Sequence, residues 1–200
     1  MQTKTLYRLI TLLIMMLLVV GTYLVAYASP STAPRQATTL TFTANADAYV
    51  IASSPDANYG TNATVRVDNT PATRSYLSFV VSGLNGAVIQ SAKLRVYANS
   101  ANGAGYTVSA IADNSWSESA VTYTNAPTTG AKISSSQPFG AGVWVEADVT
   151  SYVKSIGVYN MVLTTSSDTN TSLASRESGA NAPKLIVTTG SATSTSPTNT

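Results

Sequence analysis

The segment Asp113-Asn114-Ser115-Trp116-Ser117-Glu118-Ser119-Ala120-Val121-Thr122-Tyr123-Thr124-Asn125-Ala126-Pro127 decides the class of the fold. It sets one of only two tryptophans, Trp116, among polar turn residues. The β-branched run Val121–Thr124 follows, and Asn125-Ala126-Pro127 closes it. Such a run between turn formers predicts a short strand entered and left through tight loops. Runs of the same kind lie on both sides. Upstream they are Leu40–Thr43, Ala48–Ile51, Thr64–Asp68, Ser75–Val81, Lys93–Ala98 and Tyr106–Ala112. Downstream they are Ala131–Ser134, Val143–Val149, Tyr159–Thr165, Leu173–Ser175 and Lys184–Thr188. Turn signals separate them: Ser54 to Gly60, Asn69-Thr70-Pro71, Asn85-Gly86, Asn102-Gly103 and Gly140-Ala141-Gly142. Helical periodicity is confined to one turn at Val149–Val153. About a dozen short strands with this punctuation predict an all-β chain, a jelly-roll β-sandwich of two antiparallel sheets with disordered tails.

Composition narrows the chemistry. The 200-residue chain has no cysteine and no histidine. Disulfides, thiolate metal sites, the serine-type triad and the usual zinc ligand are therefore excluded. Lys4 and Arg8 precede an apolar run from Leu9 to Val20, and Ala26-Tyr27-Ala28 is a small-x-small cleavage signature. Residues 1–28 thus read as a secretory signal peptide. The competing reading is an uncleaved anchor, because apolar character continues through Tyr23-Leu24-Val25. Beyond residue 28 the chain carries nine basic and nine acidic residues. That balance argues against nucleic acid as a partner. Residues 29–38 have linker composition, 39–189 form the sandwich, and 190–200 are a Ser/Thr/Pro-rich tail. A secreted or cell-surface monomer is expected, with no membrane contact once the signal is removed. A further module beyond the tail is a second expectation.

Strand alternation assigns faces. Leu77, Phe79 and Val81 oppose Arg74, Tyr76 and Ser78. Leu94 and Val96 oppose Lys93, Arg95 and Tyr97, and Val65 and Val67 oppose Thr64, Arg66 and Asp68. Arg66, Arg74, Tyr76, Lys93, Arg95 and Tyr97 thus point away from the core. Gly60 to Ala110 holds four basic residues and one acidic, whereas Ile111 to Glu177 holds three basic and six acidic. Either the halves pair across the sandwich in ion pairs, or the basic half lines a groove for an anionic ligand.

Spaced motifs carry a resemblance. They include Ala46-Asp47-Ala48-Tyr49-Val50, Asn58-Tyr59-Gly60-Thr61, Val65-Arg66-Val67-Asp68, Arg74 to Phe79 and Ala92-Lys93-Leu94-Arg95-Val96-Tyr97. Others are Trp116-Ser117-Glu118 with Asn125-Ala126-Pro127, Trp144 with Asp148-Val149-Thr150, and Ser175-Arg176-Glu177 with Pro183-Lys184-Leu185. In order and spacing this set resembles the secreted modules called DNRLRE domains, which overlap a carbohydrate-binding family associated with alginate-degrading enzymes. The family pattern has an arginine before the phenylalanine and an aspartate after it, where this chain has Ser78 and Val80. The resemblance implies a non-catalytic jelly-roll module, with acidic polysaccharide as the leading ligand class.

Each candidate has two readings. Arg66, Arg74, Lys93 and Arg95 are suited to clamp carboxylates, or to pair internally. Tyr76, Tyr97 and Trp144 offer rings for sugar stacking, while Trp116 reads as a plug of the core. Arg176 and Glu177 read as an internal pair. Asp47, Asp56, Asp113 and Asp168, beside asparagines in loops, suit structural calcium, though no cofactor is required. No nucleophile elbow or phosphate loop is present, so an enzyme is not expected. Two functions remain: a binding module for a uronic-acid polysaccharide, or a structural surface spacer with no soluble ligand.

Overall fold

A computed structural model of the protein describes residues 37–190. The expected signal segment, all but the end of the expected linker, and the tail after Gly190 lie outside the described residues. The chain forms eleven strands: β1 (Thr38–Thr43), β2 (Ala46–Ile51), β3 (Thr64–Val67), β4 (Thr73–Val81), β5 (Val88–Ala98), β6 (Thr107–Ala110), β7 (Lys132–Ser135), β8 (Val143–Asp148), β9 (Gly157–Thr164), β10 (Thr171–Ala174) and β11 (Lys184–Gly190). A short 3-10 segment, Arg176–Asn181, separates β10 from β11.

They build two antiparallel sheets, as the alternation predicts. The first runs β1-β11-β5-β10-β3, with β8 on the other edge of β5; the second runs β2-β4-β9-β6-β7. Strand β5 is the longest, at 11 residues, and pairs with both β11 and β8. The main core lies between the sheets: Leu77, Phe79 and Leu163 from one meet Leu94, Val96, Leu173 and Leu185 from the other. Tyr106 is also buried there and donates to the Val145 carbonyl at 3.3 Å. Burial of this apolar surface is the main term favouring the fold.

The opening segment corrects the reading. Val121–Thr124 is not a strand. Its backbone bonds go to turns and side chains instead of a ladder. Val121 N–H donates to the Ser117 carbonyl, and Thr122 N–H to Asn125 Oδ1 at 2.7 Å. Thr124 N–H reaches the Pro55 carbonyl. The Asn125 side chain and the Ser117 carbonyl satisfy the backbone locally, which removes the need for a strand partner. The segment lies across the outer face of the second sheet, where Val121, Ile111 and Trp116 close a smaller core over Ala48, Val50, Tyr76 and Val162. The second sheet is therefore covered on its outer face too around Ala48, Val50, Tyr76 and Val162. The first sheet keeps a solvent-facing side.

Candidate functional site

That difference is visible in the strands. In β4 seven of nine positions are buried, as befits a strand covered on both sides. From Ala92 in β5 and from Trp144 in β8 burial alternates residue by residue, so every second side chain there meets water. The exposed positions of four neighbouring strands fall into cross-strand rows. Lys184 of β11 sits opposite Arg95 of β5, and Arg95 sits opposite Glu146 of β8. One row further, Ile186 faces Lys93 and Lys93 faces Asp148. Tyr97 faces Trp144 in the row on the other side. Thr41 and Thr43 of β1 extend the rows of Ile186 and Lys184. With strands about 4.8 Å apart, four strands give a face roughly 14 Å wide.

Trp144 organises the cations on this face. The Arg95 guanidinium carbon lies 4.7 Å from its ring centroid, and Lys184 Nζ lies at 4.7 Å as well. Tyr97 meets the same indole edge-on at 5.4 Å. A ring quadrupole holds a cation in place without cancelling its charge, so both cations stay electrostatically available. Glu146 is the counterweight. It accepts from Lys93 Nζ at 3.0 Å and lies 3.8 Å from Arg95 Nε. Asp148 accepts from the N–H of Thr150 at 2.8 Å, and hydrogen bonds from Thr150 hold its carboxyl below the ordinary range. Lys184 bonds the Ala180 carbonyl at 3.1 Å and makes no ion pair among the described residues. The face is thus a short cationic strip anchored on one indole.

The structure brings Lys93, Arg95, Tyr97 and Trp144 together and separates the other candidates. Arg66 belongs to β3, at the far edge of the same sheet, with its guanidinium 5.9 Å from the Tyr49 ring. Arg74 is on the opposite sheet, 4.8 Å from the Tyr123 ring. Tyr76 corrects the expectation for a ligand residue. It points away from the main core as alternation predicts, but that face is covered. Tyr76 is fully buried, 5.9 Å from Trp116, and its hydroxyl donates to the Pro127 carbonyl at 2.9 Å. Trp116 is a plug, with its indole N–H given to Asn160 Oδ1 at 3.2 Å. Lys184, Glu146 and Ile186 were not among the candidates. The alternation of Lys184, Ile186 and Thr188 against Leu185 and Val187 is the signal that marks the first and third of these.

The calcium expectation changes as well. Asp56 accepts from Thr124, Asp113 from Ser115 and Asp168 from Asn69, in separate places. Asp47 instead joins Glu118 and Glu177, with carboxylate oxygens within 4.8 Å of one another. Such a set has the oxygen chemistry of a hard-cation site. Here Arg176 already occupies it. Its guanidinium donates to Glu118 Oε2 at 2.6 Å and lies 3.1 Å from Glu177, and its N–H bonds Asp47 Oδ2 at 2.7 Å. The Arg176–Glu177 pairing is internal, as the sequence reading held.

The model of carbohydrate-binding module family 96 matches residues 38–189, from the first strand to the last. Among curated proteins, a gellan lyase of Bacillus sp. is 30% identical over 127 aligned residues, which cover 56% of this chain. The chain spans only 5% of the length of that relative.

Proposed function

Because the chain belongs to carbohydrate-binding module family 96, we propose that it binds an acidic, uronic-acid-bearing polysaccharide through the open face of its six-stranded sheet. The observation that carries this reading is the trio Lys93, Arg95 and Lys184, set in adjacent rows with two of its cations over Trp144. Guanidinium and ammonium groups suit successive carboxylates along a polymer. Trp144 and Tyr97 supply apolar edges for the sugar rings between them. As a member of a carbohydrate-binding family the module holds a polymer, and the carboxylates of this face, Glu146 and Asp148, are engaged by Lys93 and Thr150. The relative named gellan lyase supports placing such a module beside polysaccharide-cleaving machinery. Secretion and action outside the cell follow from the signal-like N-terminus and complete the proposal.

The competing reading, a structural spacer without a soluble ligand, draws on Glu146, which already pairs with Lys93 and approaches Arg95. Affinity electrophoresis on alginate, pectin, cellulose and chitin at low and high salt separates the two. The binding reading expects retardation by a uronic-acid polymer, lost at high salt because exposed charge contacts are screened. It also expects loss in the Lys93→Ala/Arg95→Ala double variant. No retardation on any polymer leaves the spacer.

A further inference from the structure

We propose that the depression in the segment covering the second sheet is a separate subsite for a single neutral pyranose. It is lined by Asp113, Ser115, Trp116, Ala120, Val121 and Asn125 among others and encloses about 190 Å³. That is below the roughly 300–1,000 Å³ of pockets for drug-sized ligands, the scale of one ring and not of several. It lies over the second sheet, on the far side of the sandwich from the cationic strip. The proposal rests on the family reading and on the lining of the depression itself, not on the strip.

The walls are prearranged although the backbone is irregular. Asn125 accepts from Thr122 N–H and donates to the Ala120 carbonyl at 3.0 Å. Asn58 reaches across to the carbonyls of Glu118 and Val121 at 2.8 and 2.7 Å. Trp116 is fixed by Asn160 and by the Tyr76 ring beneath it. A wall held in this way loses little entropy when a ligand arrives.

Its chemistry is that of a neutral sugar. Trp116, Ala120 and Val121 offer an apolar surface for the C–H face of a pyranose. Asp113 offers the acceptor. Ser115 N–H and Oγ both donate to its Oδ1, at 2.7 and 2.6 Å, which leaves Oδ2 for a ligand hydroxyl. The same bonds hold the Asp113 carboxyl below the ordinary range, so it is ionised and accepts charge-assisted bonds from hydroxyls. No cation lines the depression. A carboxylated sugar therefore meets like charge here, whereas the strip on the other sheet meets it with opposite charge. Two faces of one sandwich would then read two kinds of sugar, from two polymers bridged by the protein or from distant stretches of one.

The two tryptophans give each site its own reporter. In the 15N-labelled protein the indole N–H signals of Trp116 and Trp144 are assigned with Trp144→Phe. Glucose, galactose, mannose, rhamnose and xylose are titrated singly to about 100 mM, since one-ring ligands bind with millimolar Kd. The expected result is saturable movement of the Trp116 signal with at least one neutral sugar while Trp144 stays fixed. Ala120→Tyr, which fills the depression, should raise that Kd about tenfold or more. Asp113→Asn, which keeps the shape, should raise it severalfold. If no neutral sugar moves Trp116, if its movement never saturates, or if both variants respond as the parent does, the subsite is overturned. An alginate oligosaccharide that fails to move Trp144 counts against the cationic strip alone.

Discussion

Asp47 is where burial and charge conflict most sharply. It sits on β2 with 1% of its surface exposed, facing Glu118, Glu177 and Arg176. Burial, with the two neighbouring carboxylates, outweighs the Arg176 N–H and guanidinium and lifts its pKa from 3.8 to about 7. In the unfolded chain an aspartate titrates near 3.9, so folding takes up a proton between those values. The folded state binds more protons than the unfolded one across that window. Stability therefore falls as pH rises from about 4 to about 7, and this contribution is flat on either side. Thermal midpoints measured from pH 5 to 8 should decline in the parent and run nearly level in Asp47→Asn, with the variant the more stable of the two at pH 8. Parallel profiles would assign the proton elsewhere. Tyr76 makes a simpler case at the same scale. Tyr76→Phe leaves the buried Pro127 carbonyl without its donor and should cost about 1–2 kcal/mol. Urea midpoints would read this, and an unchanged midpoint would mean that the segment repairs the bond with water.

Among the elements, the Asp113–Pro127 segment does what a strand pair does elsewhere, but with side chains. Glu118 links it to the Asp47 N–H at 2.9 Å and to Arg176, while Asn58 holds its carbonyls. Gly60 completes the fit: a Cβ there would stand 2.0 Å from the Glu118 carbonyl oxygen. Gly60→Ala must push the segment off the second sheet and expose Tyr76, Val50 and Val162. A loss of about 2–4 kcal/mol is expected, in the range for disrupted buried packing. Faster hydrogen exchange should appear in the segment and in β2, β4 and β9 before it appears in β5. Exchange unchanged in those strands would show that the segment is not their cover. This element also marks where sequence reading fails. Val121–Thr124 has strand composition, and nothing local announces that Asn125 and Ser117 will satisfy its backbone instead. Burial on both faces likewise hides the fate of Tyr76, because alternation gives direction and not cover. In β5, β8 and β11 the opposite holds: one face meets water, so Lys93, Arg95 and Tyr97 could be placed outward from sequence alone, whereas sequence leaves Trp144 open between an outward place and one beneath a loop. Their neighbours could not be placed. Lys93 and Glu146 are 53 residues apart, and only the order of strands in the sheet brings them into one row.

At the scale of the whole molecule, the basic and acidic halves of the chain do not simply neutralise one another across the sandwich. Arg66 and Arg74 rest on tyrosine rings, Arg176 is spent on Glu118 and Glu177, and Lys93 and Arg95 share Glu146 within one sheet. Three cations thus share one open face with Glu146 and Asp148. A face so closely balanced gives single substitutions opposite signs. Lys184→Ala removes a cation with no ion-pair partner among the described residues and should weaken binding to an anionic polymer. Glu146→Gln frees Lys93 and Arg95 and should strengthen it. Each change is expected to be about 2–5-fold, the scale of an exposed charge contact at roughly 0.5–1 kcal/mol. Both should shrink as salt rises and the Debye length falls from about 10 Å at 0.1 M to about 3 Å at 1 M. Affinity electrophoresis of the two variants beside the parent, across a salt series, measures this directly. If Glu146→Gln weakens binding, the Lys93–Glu146–Arg95 cluster orders the face instead of masking it.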